Sequence, residues 1–130
     1  HAQYRRPQGK LVRALEGEVF DVVAAIRPDS PTLGQWYGVV LSGKNFRQLY
    51  VPPGYAHGFC VLSESVHFEY KCTDLYDPGC ELSVRWDDPT LGIEWPIDNP
   101  SLSAKDREGM NLEEAVRFLT EYAGGKQRAS

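Results

Sequence analysis

Between Lys10 and Trp86 the chain never runs far without a glycine, a proline or a cluster of Asn, Asp and Ser, and that punctuation leaves room for strands but for no long helix. Residues 10–15 form a candidate strand closed by Glu16-Gly17. Residues 18–26 form a second, closed by Arg27-Pro28-Asp29-Ser30-Pro31, and residues 34–42 a third, ending at Gly43-Lys44-Asn45. Residues 46–51, 56–62, 65–72 and 81–86 complete the set. Pro52-Pro53-Gly54 breaks the ladder, because proline brings no amide donor. The spacing predicts an all-β sandwich or barrel. After Trp86 the character changes. Asp88-Pro89, Trp95-Pro96 and Asn99-Pro100 disfavour helix at each residue before proline. From Asn111, a good N-cap, Leu112, Ala115, Val116 and Leu119 recur at helical spacing. Gly124-Gly125 is expected to end that helix and leave residues 126–130 as a solvated tail.

At 130 residues the chain is expected to be a single domain, residues 1–125, because two cores would leave each half near the lower limit for folding alone. A chain cannot be initiated at His1 and the single methionine is Met110, so further residues, strands included, are expected upstream. No signal peptide is visible in the sequence given. The net charge of −4 argues against nucleic acid as a partner, and no apolar run reaches membrane-spanning length. Cys60, Cys72 and Cys80 are an odd number without a CxxC pair, which fits a reducing cytoplasm better than a disulfide framework or a zinc knuckle.

Strand parity points to polar groups in the interior. In residues 65–72, Val66, Phe68, Tyr70 and Cys72 share one face and His67, Glu69 and Lys71 the other. Tyr70 is thus expected to point inward. His57 shares parity with Phe59 and Val61, and Lys10 with Val12 and Ala14, so both are expected inside as well. Uncompensated burial of such groups costs several kcal/mol, on the order of 2–7 for each polar group, and calls for a reason.

A metal is not expected, since His1, His57 and His67 include no HxH pair and His67 should face outward. No GxGxxG or GxxxxGK[ST] phosphate loop occurs. Composition leaves a Ser-His-Asp hydrolase open, although no GxSxG elbow is present. Cys72, in the apolar set, reads as a small buried hydrophobe. What remains is His57, Tyr70, Lys10, His1 and Ser103-Ala104-Lys105-Asp106. Taken singly, each is more ordinarily a hydrogen-bonded scaffold or solvated surface residue than a catalyst.

Taken as strings, the segments resemble one family. Gln8-Gly9-Lys10-Leu11-Val12-Arg13 and Gly17-Glu18-Val19-Phe20-Asp21-Val22 are similar to the opening barrel strands of the dTDP-4-dehydrorhamnose 3,5-epimerases, which are RmlC-like cupins. Ser30-Pro31-Thr32, Gly34-Gln35-Trp36, Arg47-Gln48-Leu49, the run from Pro52 to Phe59 (PPGYAHGF), Tyr70-Lys71, Leu91-Gly92-Ile93-Glu94-Trp95-Pro96 and Leu102-Ser103-Ala104-Lys105-Asp106 resemble its later signatures in order. The resemblance runs from His1 to about Asp106 and implies a cupin jelly roll, a β-sandwich barrel with a short C-terminal helical segment.

The resemblance also implies roles. His1, opening the H-x-Q segment His1-Ala2-Gln3, is similar to the catalytic base, although the stretch from it to Gln8 is one residue shorter than the family pattern. Asp106 matches the carboxylate partnering that base and Tyr70 the general acid across the sugar ring. Lys10, His57, Lys105 and Glu81 match substrate contacts, and Tyr76 the ring stacked on thymine. An arginine three residues ahead of the histidine, and N-terminal strands completing a neighbouring pocket, would lie upstream.

The implied reaction inverts C3 and C5 of dTDP-4-dehydro-6-deoxy-D-glucose, with no metal, nicotinamide or flavin, in a cytoplasmic homodimer serving deoxysugar and dTDP-rhamnose biosynthesis. A relative acting at C3 or C5 only, and a non-catalytic cupin that merely binds a nucleotide sugar, are the alternatives. A metal-dependent cupin oxygenase would be revived by stoichiometric iron in the purified protein.

Overall fold

The computed structural model describes residues 1–129, with side chains through Gly125. In chain order the elements are β1 (Ala2–Gln3), β2 (Lys10–Glu16), β3 (Glu18–Ala25), β4 (Trp36–Ser42), β5 (Leu49–Val51), β6 (Tyr55–Val61), β7 (His67–Cys72), a 3-10 turn (Pro78–Cys80), β8 (Glu81–Leu82), α1 (Ala104–Arg107) and α2 (Leu112–Ala129). Two three-stranded antiparallel sheets, β5-β2-β7 and β4-β3-β6, pack together, and β1 pairs with β8 in a short ribbon.

The inner layer joins Val12 and Ala14 of β2 to Val19 of β3 and Leu41 of β4. Val12, Val19 and Leu41 are wholly buried, and each such side chain contributes about 1.5–3 kcal/mol through removal from water. The outer face of β3 is covered too. Ala24 there packs with Ala56 of β6, with Leu91 from the Pro-rich stretch, and with Leu112 and Ala115 of α2. A strand covered on both faces needs no alternation, which is why β3 reads as a nearly continuous apolar run.

Gly17 makes the sharp β2–β3 connection. Its φ is +81°, and a Cβ there would stand 2.3 Å from the Ser65 carbonyl oxygen, so only glycine fits. Asp88, also buried, fastens the C-terminal segment: one carboxylate oxygen accepts from the Leu91 amide at 3.0 Å and the other from the Leu112 amide at 3.2 Å.

Several sequence-based boundaries move. β5 starts at Leu49, not 46, because Phe46 takes the left-handed conformation (φ 57°) in the preceding turn. Beyond β8 the expected strand 81–86 shrinks to a bridge between Val84 and Met110. The two-residue β1 carries too little pattern to read. Helix α2 runs through Gly124-Gly125 to Ala129: glycine weakens a helix interior by roughly 1 kcal/mol relative to alanine but does not itself stop one. The expectation of a solvated tail falls on side chains at 126–130, which lie outside the described residues. Among the described residues no helix is long and apolar enough to cross a membrane.

Candidate active site

The edge strands β6 and β7 approach one another, spanned by the rings of Phe59 and Phe68 with centroids 4.6 Å apart. Between and beside them lies a cavity of about 620 Å³. His1, Lys10, His57 and Tyr70 border it, and so do Tyr76, Glu81, Lys105 and Asp106. Residues separated by as much as the whole β region of the chain thus meet at one hollow.

His1 stands at its edge because its backbone is clamped. His1 and His57 exchange both main-chain hydrogen bonds, each at 2.9 Å, which ties the residue before β1 to β6. The His1 ring is bracketed. Its Nε2 lies 2.6 Å from Asp106 Oδ1, and its Nδ1 lies 2.9 Å from Glu81 Oε1 and 2.8 Å from Ser83 Oγ. Only the imidazolium can donate to both carboxylates at once; the neutral ring donates from one nitrogen and accepts at the other.

Local sequence holds Asp106 in place. Ser103 is the N-cap of α1, with its Oγ accepting from the Asp106 amide at 3.2 Å, while Asp106 Oδ2 accepts from the Ser103 amide at 3.3 Å. This reciprocal capping box leaves Oδ1 free for His1. Partial burial opposes ionisation of Asp106, but hydrogen bonds from His1 and from Ser103 outweigh it and hold the carboxyl below its ordinary range. Lys105 and Asp106 both lie on this short helical turn.

Glu81 is mostly buried and shared. Besides His1, its Oε2 accepts from the Tyr76 hydroxyl at 2.5 Å and from Lys105 Nζ at 3.2 Å, and Lys105 also donates to the Tyr76 oxygen at 3.0 Å. Burial again works against the charge, and the Tyr76, Lys105 and His1 contacts overcome it, so Glu81 is held below the ordinary carboxylate range. The same partners raise Lys105.

His57 has a partner that sequence reasoning missed. Asp21, at the centre of β3, is fully buried and meets His57 Nε2 through both oxygens, at 2.8 and 2.9 Å. In the sheet register Val23 faces His57 and Asp21 faces Phe59, which makes Asp21 and His57 diagonal neighbours on one face. Burial pushes the Asp21 carboxyl up, against the pull of the His57 hydrogen bond and charge and of Lys10. The available signal was a lone aspartate inside Val19-Phe20-Asp21-Val22-Val23. Ser83 was likewise missed, having no pattern of its own.

Tyr70 departs from expectation in one respect. It borders the cavity on the predicted face, but it is 58% exposed because β7 is an edge strand and the hollow is open there. Lys10 Nζ lies 6.0 Å from the Tyr70 ring centroid. Cys72 is exposed as well, at the end of the same strand, and is not the buried hydrophobe expected from parity. Among the described residues, no three His, Cys, Asp or Glu side chains converge as metal ligands do.

Packed antiparallel sheets with acid–base side chains gathered at one cavity make a cupin-type barrel, a fold that this chain shares with solved structures similar to it. The chain belongs to the dTDP-4-dehydrorhamnose 3,5-epimerase family, whose sequence model matches residues 1–114. It is 53% identical over 119 residues to the dTDP-4-dehydrorhamnose 3,5-epimerase of Pseudomonas aeruginosa, covering 91% of this chain and 66% of that protein. A dTDP-6-deoxy-D-glucose-3,5-epimerase from Legionella pneumophila, solved with dTDP-4-keto-L-rhamnose, superposes with a TM-score of 0.87 at 50% identity, over 91% of this chain and 63% of that one. The dTDP-4-dehydrorhamnose 3-epimerase of Streptomyces niveus is 41% identical over 89% of this chain and 57% of its own length. The chain thus spans about two thirds, or less, of the length of these relatives.

Proposed function

We propose that the protein inverts C3 and C5 of dTDP-4-dehydro-6-deoxy-D-glucose to give dTDP-4-dehydro-L-rhamnose. The observation that carries this reading is the His1 ring held between two carboxylates at a cavity that Tyr70 borders from the opposite sheet.

The ketone at C4 acidifies the hydrogens on C3 and C5. His1, as the neutral ring, takes one; the C–H electron pair moves to the C4 oxygen, and the new imidazolium is received by Asp106 and Glu81. Lys10 borders the same hollow and supplies a donor to the enolate oxygen, and His57, its ring fixed by Asp21, lines the wall beside it. Tyr70 returns a proton from its phenol to the other face of the carbon, inverting the centre. Solvent then restores Tyr70 and removes the extra proton from His1. Tyr76, Lys105 and Glu81 form the nucleotide end, with the Tyr76 ring stacked on thymine. No metal or redox cofactor enters these steps.

By family resemblance, the protein works as a homodimer in the cytoplasm; its free cysteines are at home in a reducing compartment. The packing of α2 through Leu112 and Ala115 on the sheet supports one domain for the chain described. Proton NMR of the product formed in D₂O tests the reaction. Deuterium at both carbons is expected; deuterium at C3 or C5 alone would move the assignment to a single-site epimerase, and at neither would overturn it.

A further inference from the structure

Glu81 sits where two halves of the site touch. Its backbone is locked by pairing with Gln3 in the β1–β8 ribbon, two residues from His1, so only its side chain can respond to a ligand. That side chain is 13% exposed and spends one oxygen on His1 and the other on Tyr76 and Lys105. Lys105, by contrast, is 59% exposed and free to turn toward an anion.

We propose that Glu81 is a positioning residue that couples occupancy of the nucleotide end, at Tyr76 and Lys105, to the proton-accepting strength of His1. The inference rests on the reading above. With the nucleotide end empty, Lys105 and the Tyr76 hydroxyl draw on the Glu81 charge. A nucleoside diphosphate takes the Lys105 ammonium for its phosphates and so removes the one charged donor from Oε2, while its base stacks on the Tyr76 ring and leaves the hydroxyl on Glu81. A carboxylate so little exposed then turns more of its charge on the His1 ring, 2.9 Å from its other oxygen. That charge favours the protonated ring, the state His1 reaches when it deprotonates the sugar. Binding at the far end of the substrate is thereby converted into rate at the reacting carbon.

Two measurements test this, one without turnover. Adding dTDP, which has no hexose to touch His1, should shift the His1 imidazole resonances in NMR of the wild type. In Glu81→Gln the shift should vanish at a dTDP concentration raised until the thymine protons of the ligand show the site saturated. In turnover, kcat for the dTDP-sugar should exceed that for the sugar 1-phosphate by about fivefold or more in the wild type, and the ratio should fall toward one in Glu81→Gln. Equal shifts and equal ratios in wild type and Glu81→Gln would overturn the coupling while leaving the epimerase reading intact. Failure of the wild type to bind dTDP would remove both.

Discussion

Among the described residues, two histidine–aspartate pairs are built from the same chemistry and placed in opposite surroundings. His1–Asp106 is open, with side chains 29% and 37% exposed, and His57–Asp21 is enclosed, at 8% and 0%. Asp106 is held below the ordinary carboxylate range, while Asp21 is pushed above it. The difference teaches that the pairing of residue types does not set the role. The ring at the open edge is within reach of a ligand in the cavity, whereas the ring enclosed against Asp21 is held as part of its wall.

The largest effect separates the two rings. His1→Asn should lower kcat by about 10²–10⁴, the usual worth of a general base, with little change in KM. His57→Asn should cost less, around tenfold to a hundredfold, because it disturbs the wall that positions the sugar and leaves the proton-transfer groups in place. Steady-state kinetics with both variants decides it; equal losses would erase the distinction.

The buried pair is next. Asp21→Ala leaves His57 Nε2 without a partner and should destabilise the fold by about 1–3 kcal/mol in urea unfolding. Asp21→Asn keeps an acceptor of the same shape and should stay within about 1 kcal/mol of wild type, since it also removes a charge from a wholly buried position. A large loss in Asp21→Asn would mean that the charge itself holds the sheet together.

The pH dependence of stability should carry opposite signs. Asp106 has a folded-state pKa below its ordinary 3.8, so its contribution is present above 3.8 and fades as pH falls toward the depressed value. Asp21 has a folded-state pKa above 3.8, so its contribution is full below 3.8 and is lost as pH rises through the raised value. Measured from neutral pH downward, wild type should therefore gain on Asp21→Asn and, below about 4, lose its advantage over Asp106→Asn. The smallest effect falls on Ser103→Ala, which removes half of the capping box and should cost about 1 kcal/mol together with a severalfold drop in kcat as Asp106 loosens.

What was legible in the sequence follows the same divide between local and distant causes. Strands β2, β3, β4, β6 and β7 announce themselves as short β-rich runs bounded by glycines, prolines and other turn residues. β1 does not, because its partner β8 lies far along the chain and a two-residue strand has no period. Of the residues bordering the cavity, His1, Lys10, His57, Tyr70, Tyr76, Glu81, Lys105 and Asp106 were named in advance as site residues through parity or family resemblance, and the apolar residues among them were not. Asp21 escaped both, since an aspartate inside an apolar run gains meaning only when the register brings it beside His57. The Glu81–His1 contact escaped for the same reason: it is made by β1 and β8 coming together, and no spacing encodes it. The exposure of Tyr70 depends on β7 being an edge, which alternation within one strand cannot report.

The central claim is that one ring removes a proton and the other returns it on the opposite face. Tyr70→Phe, incubated with the dTDP-4-keto-6-deoxyhexose in D₂O, tests that division of labour directly. The account predicts that recovered substrate carries deuterium with its configuration retained, because His1 still exchanges the acidic hydrogen, while epimerised product falls by about 10²–10⁴. Inversion at the wild-type rate, or substrate with no deuterium at either carbon, would contradict it.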